Sequence, residues 1–377
     1  MKSKILKSIA LAVACLGATA ALADKAELPR SMLWSTYDVG SSGYVEASAI
    51  ADAFAKDYDT RVRIMPSGTA IGRLLPLKTG RVQYGWLANE LYFATEALYD
   101  FAAPDWGPQD LRVVAGRPST FGMATAADSD IHKMADIRGK RVPYIKANPS
   151  INIKVQAMLA FAGLSWNDVD VVQVPSYGAA LKALVNGQVD VAGTTPTASA
   201  LYELASSRHG VAWVPMPEDN AKGWKAIESI ASFFAPATAT AGAGITKDHP
   251  AHIFAVRYPM ITVYAKADAD QVYNFVKALD QTYGIYSGAT AATRLWKLSL
   301  SGKTPADAPF HPGAIRYLKE IGVWSAQDEA WNERRLKRLQ AVMKAWTEAR
   351  AEAKAQAVAD ADWPAFWADY RKTALTN

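Results

Sequence analysis

The sequence predicts an α/β protein of two similar halves facing each other across a cleft, followed by a long helical C-terminal extension. Three observations predict it. Short apolar runs alternate with amphipathic stretches of helical period through most of the 377 residues. One helix-to-strand junction occurs twice, as Leu77-Lys78-Thr79-Gly80-Arg81-Val82 and as Leu184-Val185-Asn186-Gly187-Gln188-Val189. Between Gly322 and Pro364 there is neither glycine nor proline, and the stretch is rich in Ala, Glu, Lys and Arg.

Residues 1–23 read as a cleavable export signal. Lys2, Lys4 and Lys7 precede a short apolar run from Ile9 to Ala21, and Ala21-Leu22-Ala23 is a small-residue cleavage motif before Asp24. The run is too short to span a bilayer, which takes about 20 apolar residues. Three of the five net positive charges lie in this leader. What remains is nearly neutral, which excludes a phosphate-backbone binder with its clustered Lys and Arg. The single cysteine, Cys15, also lies there. Acylation of Cys15 after Ala12-Val13-Ala14 is the weaker alternative, because the position is early and Ala12 fits poorly. Once the leader is lost, disulfides, a thiolate nucleophile and a thiolate metal site are all excluded. A bacterial periplasm is the expected location.

The first half opens with a strand, Leu33 to Tyr37, and the turn Asp38 to Gly43. A helix follows to about Tyr58, with Ala47, Ile50, Ala51 and Phe54 on one face and Glu46 assigned to the first turn, where the helix dipole favours a carboxylate. Val62 and Ile64 alternate in a second strand. Ser67-Gly68-Thr69 turns into a helix that stops at Gly80, and Val82 to Leu87 is a third strand. This β-α-β-α-β order predicts a mostly parallel sheet. From about residue 121 the plan repeats: a strand Val142 to Ile145, a helix Ile151 to Ala162, a strand Val169 to Val174 and a helix Tyr177 to Val185. The expected division is residues 24–120 with 233–322 as one lobe, 121–232 as the other and 323–377 as the extension. The outward crossover is placed near Pro118 to Phe121 and the return near Phe233 to Pro236. In the extension, Leu336, Leu339, Met343 and Trp346 form a seam that packs on the lobes or, in the sharper reading, on a partner helix. Trp363, Phe366, Trp367 and Tyr370 are expected to clamp the tail.

Ligands of open α/β sheets bind beyond the carboxyl ends of the strands. The turns expected there carry small hydroxyl and amide residues: Ser41 and Ser42, Ser67 and Thr69, Asn148 and Ser150, Ser176, and Thr194 and Thr195, with Asn89 at the tip of the third strand. Free N–H groups and hydroxyls at such turns hold a carboxylate with no buried lysine required. Taken singly, each is also a preferred helix N-cap. Arg73 lies one turn into its helix, and two roles stay open: a bidentate pair with a ligand carboxylate, or an internal salt bridge to Asp38 or Glu90. Tyr44, directly after the first turn, is the expected aromatic wall, whereas Trp34, Tyr37, Trp86 and Tyr92 read as core.

Enzyme signatures are missing. There is no G-x-S-x-G elbow, no P-loop and no G-x-G-x-x-G. His249 and His252 have i, i+3 spacing but Pro250 between them and no evident third ligand. No metal and no cofactor are expected, and the protein is expected to do no chemistry itself.

Gly40-Ser41-Ser42-Gly43-Tyr44 after the first strand, Ser67-Gly68-Thr69 after the second, Gly139-Lys140-Arg141-Val142, and His311-Pro312-Gly313-Ala314 occur in that order. In order and spacing they resemble the TAXI family, the extracytoplasmic solute-binding proteins of TRAP transporters, over roughly residues 31–322. The resemblance implies a two-lobed type II periplasmic-binding fold. It implies closure on a small organic anion, often an amino acid or dicarboxylate, and delivery to a TRAP membrane permease. A monomer is expected. By position it puts Ser41, Ser42, Ser67 and Thr69 on ligand-binding turns. The chain departs from the family at Ala147-Asn148-Pro149-Ser150-Ile151-Asn152, where a Gly/Ser-rich turn is usual, and in its longer tail. Two rivals are weighed: a ligand sensor for a membrane receptor, and an exported hydrolase.

Overall fold

The computed structural model describes residues 25–231 and 233–375. The leader, its cleavage motif and Cys15 lie outside the described residues.

The first half forms as its apolar spacing dictates. Strand β1 (Ser31–Tyr37) leads into helix α1 (Ser42–Tyr58), capped by Ser41 and burying Ala47, Ile50, Ala51 and Phe54. Strand β2 (Arg61–Ser67), helix α2 (Ala70–Lys78), strand β3 (Tyr84–Leu87) and helix α3 (Glu90–Glu96) follow. Thr69 caps α2, and Gly80, at φ +70°, ends its exit turn in the left-handed region that glycine tolerates. β1 runs parallel to both β2 and β3.

Strand β4 (Leu111–Ala126) is one long strand that serves both halves. In the second half come β5 (Arg141–Ile145), α4 (Pro149–Phe161), β6 (Asp170–Val174), α5 (Tyr177–Val185), β7 (Val191–Thr194), α6 (Ser199–Ser206), β8 (Val211–Val214) and α7 (Ala221–Glu228). Strands β9 (Ala235–Ala239) and β10 (Ala251–Tyr264) return the chain. β10 pairs with β9 over Ala251 to Ala255, runs antiparallel along β4, and reaches β3 at Met260 to Thr262. The order β2-β1-β3-β10-β4 gives one mixed sheet that runs through both halves, the α/β class that the sequence predicts. The second half is less parallel than its first-half echo: β5 and β6 pair in parallel as a separate ribbon, whereas β7 and β8 flank the far end of β4 antiparallel.

Helix α8 (Ala269–Gln281), the short helices α9 (Tyr283–Tyr286) and α10 (Leu298–Ser301), and α11 (Pro312–Glu320) return to the first half. Phe275 of α8 stacks on Tyr84 at 4.2 Å and meets Trp34 and Phe54 edge-on. This aromatic cluster, continued by Trp86 and Trp296, is the heart of the core.

Glu46 corrects the sequence reading. It lies beyond the first turn of α1 and serves no dipole there. It is fully buried, and Arg117 of β4 grips it with Nε to Oε2 at 2.5 Å and Nη2 to Oε1 at 2.6 Å. The Trp296 indole N–H donates to Oε2 at 2.7 Å. A partner 71 residues away is invisible to local periodicity.

The extension is α12 (Ala326–Ala355) and α13 (Trp363–Ala374), and it packs back on the first half. The buried stripe of α12 is Leu339, Val342, Ala345, Ala349 and Ala353, one residue out of step with the expected seam at Met343, which is exposed. Trp363 and Trp367 are the clamps. Their indole N–H groups donate to Ala102 O at 2.7 Å and Ala97 O at 2.8 Å. Among the described residues, no helix is long and apolar enough to cross a membrane.

Candidate functional site

The turns that end the strands of the two halves touch. Gly68 O accepts from Tyr177 N at 3.0 Å and from Asn148 Nδ2 at 3.2 Å. Asp38 Oδ2 accepts from Gly178 N at 2.9 Å, Ala147 O from Ile71 N at 3.3 Å, and Gly40 O from the Ser199 hydroxyl. These contacts bridge the first half to the second, so the cleft stands shut. Behind them lies a cavity lined by Tyr37, Arg73, Ala88, Phe121, Asn148, Ser150, Ile151, Lys154, Tyr177, Thr195, Val256 and Tyr258. Its volume is about 20 Å³, room for one water molecule.

Four expected site residues line this cavity: Arg73, Asn148, Ser150 and Thr195. The others stand elsewhere. Ser41 caps α1, donating to Asp38 O at 2.7 Å and accepting from Tyr44 N at 3.2 Å. Ser42 lines a separate groove with Val45, Thr197, Ser199 and Tyr202. Tyr44 is half-buried and off the cavity, and Tyr37, read as core, forms the wall instead. Ser67 and Thr69 hold the start of α2: Ser67 Oγ accepts from Thr69 N at 3.4 Å and Thr69 Oγ1 from Gly72 N at 3.1 Å. Thr194 shares a hydroxyl hydrogen bond with Tyr177. Asn89 Nδ2 donates to Asp307 Oδ2 at 2.6 Å.

Arg73 makes the internal salt bridge. Its Nη2 and Nε reach Glu90 Oε1 at 2.7 and 3.1 Å, Nη1 donates to Ser67 O at 3.3 Å, and the guanidinium lies 4.1 Å from the Tyr37 ring centre. Both members of the pair are buried, so Arg73 brings little net positive charge to the cavity.

Lys154 brings the charge, and the sequence reading missed it. It projects from α4, one turn beyond Ser150, and is 1% exposed. Its ammonium donates to Ser150 Oγ at 2.8 Å and Ser150 O at 3.1 Å and lies 5.1 Å from the Phe121 ring centre. Among the described residues no carboxylate lies within 4.0 Å of it. Burial pulls it down to about 8, while Glu90 and Asp307 at longer range favour its charge. The turn composition, which asks for no buried lysine, did not point to this residue. The signal was present: Ile151, Ile153, Val155, Met158 and Leu159 make α4 apolar nearly all round, which leaves Lys154 no route to water.

Asp307 is the counterpart acid. Burial pushes its carboxyl up to about 6, opposed by the Asn89 hydrogen bond, by Lys154 and by Arg335. Glu90 raises it further, and Arg257 also senses it. Below about pH 4 Asp307 is protonated folded or unfolded; as pH rises through 6 the folded chain must ionise a buried acid, and that stability is lost. The loss is on the order of 3 kcal/mol from a shift of about two units. Urea unfolding at pH 4 to 7 is expected to show wild type losing this much more stability than Asp307→Asn over that range; parallel pH profiles would refute it.

Comparison with solved structures finds weak overall similarity to solute-binding proteins. The alkanesulfonate-binding protein SsuA of Xanthomonas axonopodis pv. citri, bound to MOPS, is 18% identical, with 78% of this chain and 85% of that chain covered and a TM-score of 0.45. The periplasmic aliphatic sulphonate binding protein SsuA of Escherichia coli is 15% identical, with 86% and 88% covered and a TM-score of 0.40. An ancestral arginine-binding protein bound to arginine is 16% identical, with 70% and 97% covered and a TM-score of 0.41. At the level of sequence, the profile of the NMT1-like family matches residues 37–322, a span that holds every residue lining the cavity. The chain belongs to the NMT1-like family.

Proposed function

We propose that the protein is an exported solute-binding protein whose halves shut on a small organic anion, a carboxylate or amino acid, and that it hands this solute to a TRAP-type permease. The observation that carries the reading is Lys154: a buried ammonium, with no carboxylate of the described residues at contact distance, in a cavity between two halves. An ion costs several kcal/mol to bury unpaired, and an anion in the cavity offsets that cost. Lys154 takes the centre of the site. Arg73, Asn148, Ser150 and Thr195 surround it, while Ser67, Thr69, Asn89 and Thr194 orient these neighbours. Ser41, Ser42 and Tyr44 belong to the rim. The lobes are drawn at β4 and β10, with residues 24–120 and 233–322 against 121–232, the return running along β10. The permease assignment rests on the ordered motifs shared with the TAXI family.

A thermal-shift screen of carboxylates and amino acids tests the reading. A ligand at a hundred times its Kd stabilises by about 2.7 kcal/mol. Lys154→Met is expected to abolish the response and to raise the stability of the ligand-free protein, because it removes a buried charge. No response to any anion, or an unchanged response in Lys154→Met, refutes it. Delivery is tested with vesicles carrying a TRAP permease: uptake of the identified ligand should need the added protein and an ion gradient. Uptake driven by ATP would assign the partner to another transporter class.

A further inference from the structure

Helix α12 does more than cover an apolar face. Asp328, Asn332 and Arg335 fall at i, i+4 and i+7 and so share one side of it. All three hold the same segment, residues 303–310. Asp328 Oδ1 accepts from Thr304 N at 3.0 Å and Thr304 Oγ1 at 2.8 Å, and its Oδ2 from Lys303 Nζ at 2.9 Å. Asn332 Oδ1 accepts from Phe310 N at 2.8 Å. Arg335 Nη2 donates to Asp307 O at 3.3 Å and to Thr95 Oγ1 at 3.0 Å. Arg335 also joins α12 to α3, with Nη1 on Glu96 Oε1 at 2.6 Å. Arg338 and Arg371 of the extension close on Glu96 too, each at 3.0 Å. Three guanidiniums around one buried carboxylate exceed what its charge requires, and they fix the end of α3 from three directions.

The two elements held this way carry two buried acids that stand behind the cavity lining and whose charge reaches Lys154. The 303–310 segment carries Asp307, and the start of α3 carries Glu90, with Asn89 tying the two together through Asp307 Oδ2. Lys154 approaches from the other half. The charged groups it faces are Glu90, Asp307 and Arg73, with Ser150 as its hydrogen-bond acceptor. Asp307 in turn faces Asn89, Lys154, Arg335, Glu90 and Arg257. Docking alone does not need these bonds, because the Trp363 and Trp367 indoles also anchor the extension, on the buried Ala102 and Ala97.

We propose that the C-terminal helices are a positioning element of the cleft: Asp328, Asn332 and Arg335 hold the 303–310 segment and α3 so that Asp307 and Glu90 stand opposite Lys154 and set its electrostatic surroundings. None of the three touches the cavity, so they are positioning residues. The consequence for anion affinity rests on the reading of the cleft above; the linkage to Lys154 does not.

The test follows the titration of Lys154 in the full chain by carbon NMR of lysine labelled at the ε carbon, its signal assigned by its loss in Lys154→Met. Asp307→Asn is expected to lower the midpoint, because an attracting carboxylate is gone. Asn332→Ala is expected to lower it in the same direction by a smaller amount. In the Asp307→Asn background Asn332→Ala should add nothing, the mark of two residues acting through one group. If Asn332→Ala does not fold, Arg335→Lys keeps the charge, loses the forked bonds to Thr95 and Asp307 O, and carries the same expectation. A Lys154 midpoint unmoved in a folded Asn332→Ala or Arg335→Lys variant overturns the proposal, as does a full additional shift in the double variant. Calorimetry with acetate and L-glutamate separates the two readings. If neither probe binds while the midpoints move as stated, the positioning role stands and the anion site falls.

Discussion

Replacing Arg117 by alanine is expected to lower the stability of the folded chain by about 3–5 kcal/mol, the cost of stranding one member of a buried ion pair. Among the described residues Glu46 would keep the Trp296 indole N–H at 2.7 Å as its side-chain hydrogen-bond donor, since the two charge-assisted bonds come from Arg117. The carboxylate sits fully buried between α1, β4 and the segment before α10, out of reach of water. Urea unfolding followed by circular dichroism should show a lower midpoint at unchanged slope. Arg117→Met with Glu46→Met should recover most of the loss, because two apolar side chains of similar volume need no solvation. A loss under about 1 kcal/mol in the single variant would mean that the pair is hydrated and that the packing around Trp296 is looser than described.

That pair shows where reading from sequence stops. Helix and strand identities depend on spacing along the chain, so Ala47, Ile50 and Phe54 mark the buried face of α1 and Gly80 its neighbour's exit turn. Charge partners depend on the fold. Glu46 sits on the same buried face and, taken alone, looks like a dipole-facing acid; only β4 brings Arg117 to it. The same limit applies at the cavity. Small polar residues at strand ends mark both caps and ligand turns, and four of the candidates prove to be caps: Ser41, Thr69, Asn148 and Ser176 each accept a helix N–H. Asn148 does both, because it also reaches Gly68 across the cleft. Lys154 was legible by a different rule, a lone charge in an apolar helix, which turn composition does not detect. The seam of α12 slipped by one position because Ala345, Ala349 and Ala353 are small enough to be buried yet weak as hydrophobic markers, whereas Met343 is conspicuous and exposed.

Gly68→Ala is expected to weaken ligand binding about 5- to 150-fold. Its backbone is outside the left-handed region, so alanine suits the local conformation. The obstacles are Ser176 of the other half and Asp38 of its own half. A Cβ on Gly68 would stand 2.4 Å from Ser176 Cβ and 2.6 Å from Asp38 Oδ2, and overfilling of this kind costs about 1–3 kcal/mol. Asp38 is already committed to Gly178 N at 2.9 Å, where a Cβ on Gly178 would come within 2.7 Å of the same oxygen. Two glycines with their bare faces at one interhalf contact are what close approach requires, and a chain that never shut would gain nothing from either. The Ser176 clash exists only when the halves meet, so that part acts on the closed state and reaches the ligand through that state's population. Solution scattering with and without saturating ligand should show compaction in wild type and a smaller change in Gly68→Ala at the same ligand concentration. Equal affinity and equal compaction in the two proteins would mean that the Gly68–Ser176 contact is not part of the ligand-bound form, and the jaw-like closing of the two halves would have to be abandoned.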